Sequence, residues 1–481
     1  MAVLLACLPC AAQAQLPAPV SQLMAASNMP EDAIGVLVLR GDVALVSHLA
    51  ERPMQPASTM KLVTTLIGLE QLGPVFRGRT EIRTSGELAG ERLKGDLVLR
   101  GGADADLSGE VLDTMLRALR NQGIRHIEGR LVLDRQLFNP ARTDGVPPFD
   151  ESPDAYYNVI PDALLVNKNM LLLDLRSTER RVRVNVQPAL EQVVFESGLT
   201  LIDAPCAAWE AGWKQPDVMR ERGGKIRVVL RGTYPKNCVA ANSINVVDRQ
   251  DYVDRLVRLT WKALGGTIAG GTVDGIGDPG ARLLTEHLSR ALPEVVRDIN
   301  KPSDNALART LFLSLGSLEA DSVAGSHPLP ASPTGATDTT FARSDLAVRS
   351  WMRSKGINDA GLVLENGSGL SRTEKISPLQ MASLLKAGLR SKWAPEFMAS
   401  MPIVAVDGTM RRRLKDSPAA ERARMKTGTL RNVTALAGYV PDANGQQCVV
   451  VAMVNSELAG DGKGRAVLDA LVDWVARSSI P

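Results

Sequence analysis

Histidine is scarce in this chain, with four copies among 481 residues, and none lies in a His-Glu-x-x-His arrangement. A zinc hydrolase built on a helical histidine pair therefore has no candidate ligands. His48, His126, His287 and His327 stand apart from one another, and no Gly-x-Ser-x-Gly elbow accompanies them. A histidine-dependent serine hydrolase lacks support for the same reason. Aromatic residues make up only 4% of the chain and the net charge is only +3. With no Lys/Arg run interleaved with aromatics, nothing suggests a nucleic-acid partner.

Long apolar runs are missing as well, and none is long enough to cross a bilayer. The N-terminal stretch Ala2-Val-Leu-Leu-Ala-Cys-Leu-Pro-Cys-Ala-Ala-Gln-Ala14 is short and apolar and ends in Ala12-Gln-Ala14. That is the small-residue pattern of signal-peptide cleavage, so residues 1–14 are expected to be removed on export, giving a mature start near Gln15. No basic segment precedes the apolar core, which places the expected start codon further upstream. A lipoprotein reading through Cys7 has little apolar sequence before it.

Export sets the cysteine count. Cys7 and Cys10 depart with the signal, leaving Cys206, Cys238 and Cys448. Cys206 and Cys238 flank polar sequence and are expected to pair in an oxidising compartment. No histidine stands at ligand spacing to make them a zinc site. Cys448 lies in a strand-like run, Gln447-Cys-Val-Val-Val-Ala-Met453, and reads as a buried thiol.

What the chain does contain is three short motifs in a fixed order: Ser58-Thr-Met-Lys61, Ser303-Asp-Asn305 and Lys426-Thr-Gly428. Each is cheap alone. A second Ser-x-x-Lys occurs at Ser383–Lys386, inside a helical run, and a second Ser-x-Asn at Ser243–Asn245, inside an extended apolar run. Ser58 stands in a different context. It follows Pro56 and opens the run Lys61–Leu72, which reads as a buried helix stopped by Gly73 and Pro74. A serine at a helix start sits among unpaired N–H groups that favour developing negative charge. Capping alone would explain Ser58 or Ser303, but it does not explain Lys61 or Asn305. Lys426-Thr-Gly428 sits in a β-type stretch, where a glycine permits close approach to the backbone.

The two ends of the chain read as one sheet. Ala33–Arg40 and Val43–His48 form an expected hairpin over Gly41-Asp42, and strand-like runs near the C-terminus cover 425–430, 434–440 and 447–454. A closing amphipathic helix over 465–475 would pack on them. About half of the chain separates Ser58 from Ser303, too much for a compact catalytic domain without an insertion. That stretch reads as strands and turns, including Thr80–Thr84, Leu97–Arg100, Gly129–Asp134 and Lys225–Leu230. The segment Gly325–Thr340, rich in Pro, Ser, Thr and Gly, reads as a surface loop.

With these motifs placed, the chain resembles the penicillin-recognising serine acyltransferases. Within them it is similar to the class C low-molecular-mass penicillin-binding proteins, the D-alanyl-D-alanine carboxypeptidase/endopeptidase family (peptidase family S13). Matching pieces are Gly101-Gly-Ala-Asp-Ala-Asp106, Ala155-Tyr-Tyr-Asn158, Asp162-Ala-Leu-Leu-Val-Asn167, Asn366-Gly-Ser-Gly-Leu-Ser-Arg372 and Asp407-Gly-Thr-Met-Arg-Arg412. Asn366 departs from the acidic residue expected at the head of its motif. The resemblance implies an α+β fold: a penicillin-binding/β-lactamase-like transpeptidase domain, with a five-stranded antiparallel sheet and helices, carrying a large nested β-rich insertion. The expected parts are 15–79 and 285–481 for the catalytic domain, 80–105 and 178–284 for domain II, and 106–177 for domain III.

The same resemblance implies an exported, periplasmic serine DD-peptidase without a cofactor, acting on peptidoglycan peptides and inhibited by β-lactams; a homodimer is compatible with it. Ser58 is the expected nucleophile and Lys61, on the same helix face at i+3, the base. Burial and the neighbouring Lys426 would keep the Lys61 amine neutral. Ser303 would relay a proton to the leaving amine and Asn305 would hold Lys61 and the substrate amide. Lys426 and Thr427 would grip a carboxylate, and Gly428 would let the substrate lie against the strand. The backbone N–H groups of Ser58 and Thr429 would form the oxyanion hole. Arg372 would meet a side-chain carboxylate of the substrate, and one of Asp150, Glu151 or Asp154 its ammonium end. Two other readings compete: a β-lactamase or esterase on the same scaffold, and a non-catalytic wall-binding homologue.

Overall fold

The computed structural model describes residues 16–141, 148–330 and 339–479, so the expected signal segment lies outside it. Contacts gather into two units. One holds the described residues up to Glu70, Val296–Asp304 and the chain from Asp345 on; the other holds Gln71–Val295 and Asn305–Ser344.

In the first unit a helix, α1 (Ala18–Ala26), leads to a hairpin of β1 (Ile34–Arg40) and β2 (Val43–His48). After α2 (Lys61–Leu72) the chain contributes α3 (Pro378–Leu389), β3 (Arg424–Leu430), β4 (Val433–Pro441), β5 (Gln447–Asn455) and α4 (Lys463–Arg477). The strands form one antiparallel sheet in the order β2-β1-β5-β4-β3, so the two ends of the chain meet in it as expected.

Alternation decides which residues face which layer. Ile34, Val36 and Val38 of β1 join Val450, Ala452 and Val454 of β5 in a core with Val20 and Met24 of α1. Val467, Leu468, Leu471, Val472 and Val475 supply the apolar stripe of α4 to the same core. On the opposite face the Tyr439 hydroxyl of β4 donates to the Leu385 carbonyl of α3 at 2.7 Å. Both faces are covered, and every residue of β4 is buried. Helix α3 starts at a capping box of Ser377 and Gln380, and Ser383 lies in its interior as read.

The second unit is strand-rich. Its five-stranded sheet runs in the order Thr272–Asp274, Leu131–Asp134, Leu97–Gly102, Arg79–Thr84, Arg282–Leu288. Helices Gly109–Asn121 and Arg249–Ala263 supply Leu112, Leu116, Leu119, Val253, Leu256 and Trp261 to its core. Cys206 and Cys238 are disulfide-bonded, and Cys448, in the first unit, is a buried thiol whose pKa burial pushes up to about 11.

The stretch Asp162–Asn167 has a structural role here. The buried Asp162 carboxylate accepts from Arg135 at 2.9 Å and Arg249 at 3.1 Å, and Asn167 bonds the Gly109 N–H and the Tyr252 hydroxyl. One expectation is corrected. Gly325–Pro328 is a strand paired with Leu318–Asp321, where a surface loop was expected. The Ser326 hydroxyl donates to the Arg77 carbonyl at 2.6 Å, an anchor that composition does not reveal. Residues 331–338 of that stretch lie outside the described ones.

Candidate active site

The Ser58 turn is built from strained backbone. Ala57 sits in the left-handed region at φ 45°, and a single 3₁₀ turn, Ala57–Met60, then feeds α2. A non-glycine residue held there costs about 1–3 kcal/mol and survives only where its surroundings enforce it. Two backbones do so. A Cβ on Gly428 of β3 would lie 2.6 Å from the Pro56 carbonyl oxygen and 3.0 Å from the Ser58 nitrogen. A Cβ on Gly369, itself at φ +80°, would lie 1.8 Å from the Ala57 oxygen. Glycine at 428 thus admits the chain's own Ser58 turn, a close neighbour that the sequence reading did not include.

Within this frame the Ser58 Oγ accepts a hydrogen bond from Lys61 Nζ at 3.0 Å. Lys61 is fully buried, and its amine also donates to the Ser368 carbonyl at 2.6 Å. Thr64, on the same side of α2, donates to the neighbouring Gly367 carbonyl at 2.6 Å. The loop 366–370 is therefore fastened to the helix that carries Lys61.

The second amine, Lys426 on the edge strand β3, is also fully buried and donates to the Ser303 Oγ and the Thr427 carbonyl, both at 2.8 Å. Burial, and then the charge of Lys61, hold the Lys426 amine well below the usual lysine range. Ser303 itself stands at φ 68°, a second left-handed non-glycine residue. Thr427 donates from Oγ1 to Thr409 Oγ1 at 2.8 Å, and the Thr409 N–H donates to the Lys301 carbonyl at 3.1 Å. Lys301 pairs with Asp407, so the segment before Ser303 and the strand of Lys426 are tied through Asp407-Gly-Thr409. Thr429 is exposed on β3.

Asn305 opens the helix Asn305–Ser314, falls in the second unit, and donates from Nδ2 to the Tyr157 carbonyl at 3.1 Å. Arg372 is exposed, and its carbonyl accepts from the Gln55 side chain. The three acids now differ. Asp150 accepts from the Tyr157 hydroxyl at 2.9 Å and from Asn158 Nδ2 at 2.8 Å, Glu151 is exposed, and Asp154 is buried.

Chemically, the first unit offers a hydroxyl beside a buried amine and a second buried amine beside a second hydroxyl. Such a set can activate a nucleophile and return a proton without histidine. Among the described residues, no group of three or more His, Cys, Asp or Glu side chains could hold a metal ion. Sequence reasoning missed Thr64 and Glu374, and the carbonyl of Ser368 within its quoted motif, because a backbone carbonyl and its supports leave no residue-type signal. Thr409 was within a quoted motif, but its partner Thr427 was not legible.

The sequence profile of the D-Ala-D-Ala carboxypeptidase 3 (S13) family matches residues 16–478. The D-alanyl-D-alanine carboxypeptidase DacB of Haemophilus influenzae is 27% identical over 432 residues, covering 88% of this chain and 84% of the relative. A D-alanyl-D-alanine carboxypeptidase of Actinomadura sp. is 28% identical, covering 86% and 76%. Among solved structures, penicillin binding protein 4 (dacB) from Haemophilus influenzae superposes with a TM-score of 0.77 at 24% identity, covering 95% of this chain and 99% of that one. The same protein complexed with a β-lactam gives 0.71 at 26% identity, covering 94% and 97%.

Proposed function

This chain belongs to the D-Ala-D-Ala carboxypeptidase 3 (S13) family and is a penicillin-binding serine DD-peptidase, and within that activity we propose that Ser58 is the acylated residue and peptidoglycan stem peptide the substrate. The observation that carries this is the 3.0 Å contact between Ser58 Oγ and the buried Lys61 Nζ, beside a second buried amine at Lys426.

The Ser58 oxygen attacks the carbonyl carbon of the penultimate D-alanine while its proton passes to the Lys61 amine. The tetrahedral oxyanion meets the N–H groups of Ser58 and Thr429, donors of a kind typically worth about 3–4 kcal/mol each. Collapse breaks the C–N bond, and a proton delivered through Ser303 leaves with the amine of the terminal D-alanine. Water then attacks the ester, loses a proton to Lys61, and restores the Ser58 hydroxyl. Lys426 and Thr427 hold the substrate's terminal carboxylate against β3, with Gly428 letting the Ser58 turn lie against that strand, while Asn305 orients the amide. Arg372 meets a carboxylate on the stem-peptide side chain. One of Asp150, Glu151 or Asp154 is the acid proposed for its ammonium end.

Export to the periplasm follows from the N-terminal pattern, and no described helix is long and apolar enough to cross a membrane. The three-part division with boundaries near 79, 105, 177 and 284 remains our proposal for the domain plan.

Labelling with fluorescent penicillin tests the core of this reading. The native protein forms an adduct, Ser58→Ala forms none, and Lys61→Ala acylates about 10²–10⁴-fold more slowly. An adduct that survives Ser58→Ala sinks the assignment. Muropeptide products then divide carboxypeptidase from endopeptidase action: released D-alanine for the first, split crosslinks for the second.

A further inference from the structure

We propose that Glu374 is the positioning residue that sets the Lys61 amine, acting through the loop 366–370. This rests on Lys61 being the base for Ser58.

Oε1 of Glu374 accepts three consecutive backbone N–H groups, from Glu365 at 3.1 Å, Asn366 at 2.9 Å and Gly367 at 2.8 Å. One oxygen collecting three successive donors fixes the entry to the loop, because those amides must all point inward. The following carbonyls are thereby aimed outward at α2. Gly367 receives Thr64 Oγ1 at 2.6 Å and Ser368 receives Lys61 Nζ at 2.6 Å. The Ser368 carbonyl and the Ser58 hydroxyl are thus two of the groups that locate the reactive nitrogen.

Asn366 finishes the turn from within. Its Oδ1 accepts from the Ser368 N–H at 3.0 Å and the Ser368 hydroxyl at 2.6 Å, and its Nδ2 donates to the Leu370 carbonyl at 2.9 Å. A neutral amide serves both ends of that turn, whereas a carboxylate could only accept. The motif leads one to expect its acid at position 366. Here the carboxylate stands at 374 and grips the same loop from outside.

The arrangement is expensive for a purely structural residue. Glu374 is almost fully buried, and among the described residues its Oε2 has no hydrogen-bond partner. A buried acceptor left unmatched destabilises the fold, a cost that the three N–H groups gathered on Oε1 must offset. What an apolar residue cannot do is gather three N–H groups at one point.

The test uses the full chain with fluorescent penicillin at several concentrations, separating the acylation rate constant from the half-saturating concentration. Glu374→Ala should lower the rate constant by about ten- to a hundredfold with half-saturation little changed, the range expected when a reacting group is misplaced. Glu374→Gln keeps an acceptor oxygen and should recover most of that loss. The proposal is overturned if the alanine variant acylates at the native rate, if the glutamine variant is as slow as alanine, or if the loss lies in half-saturation. Should the alanine variant not fold, Thr64→Val, which releases the neighbouring carbonyl, is read instead. It should slow the same rate constant at native melting temperature, and an unchanged rate rejects the proposal. Failure of the underlying reading shows separately, as a Lys61→Ala variant that acylates at the native rate.

Discussion

Two fully buried lysines in one unit are a heavy load for a protein interior, since each amine must shed either its hydration or its proton. For Lys426 the folded pKa lies well below the ordinary 10.5. Between those two values the unfolded chain binds one more proton than the folded chain at this site, so stability rises with pH across that window. Lys426→Met should therefore raise the melting temperature by a few degrees at neutral pH, with the gain shrinking as pH approaches about 10. Thermal scans over that range check the sign. The same variant should lose penicillin labelling, which would mark Lys426 as a residue kept for chemistry at the expense of stability. Burial of a charged residue type is what the sequence hides most completely. Lys61 and Lys426 were legible as candidates from their motifs and burial of Lys61 was expected, but that Lys426 would be sealed from water as fully was not.

Elements carry the next level. In the second unit, His287 and Thr80 are cross-strand partners, and both bond Asp104 Oδ2, at 2.7 Å and 3.0 Å. Donating a hydrogen bond to Asp104 raises the His287 pKa, so the contact stabilises the protonated ring. Its contribution is fully present below the unfolded value of about 6.5 and is lost as pH rises through the higher folded value. His287→Gln should then cost about 1 kcal/mol or less, a discount for its partial exposure, and more at about pH 5.5 than at about pH 8.5. Denaturant melts at the two pH values measure it.

Strands and helices of this kind were well marked in the chain. β1, β2 and α4 show clear periodicity, and α2 ends at the Gly73-Pro74 stop that the sequence announces. Glycine-rich or polar stretches were read less well. Gly325–Pro328 became a strand through pairing with Leu318–Asp321, a tertiary contact with no local signature. The Ser58 turn was expected at a helix start, but the left-handed Ala57 and the glycines that press on it were invisible in residue type alone.

At the scale of the whole molecule, the proposed nucleophile and the disulfide fall in different units. Cys206 and Cys238 are 32 residues apart in sequence, and closing a loop of that size restricts the unfolded chain by about 3–4 kcal/mol on the chain-entropy account. Reduction, or paired Cys→Ser substitution, should lower the melting temperature of the second unit while Ser58 still labels with penicillin at moderate temperature. Differential scanning calorimetry with and without reductant, followed by labelling, separates the two effects.

The first unit is stitched from chain segments that ribosomes make far apart in time. Gln55 and Asn455, 400 residues apart, exchange two hydrogen bonds, and β1 waits for β5 as its inner neighbour. At roughly 5–20 residues per second, the hairpin keeps one unclaimed edge for about 20–80 s of synthesis. A chain interrupted before its last strands therefore carries Ser58 and Lys61 but lacks the wall that Lys426 supplies. The strand that carries Lys426 can thus close on the Ser58 turn only late in synthesis.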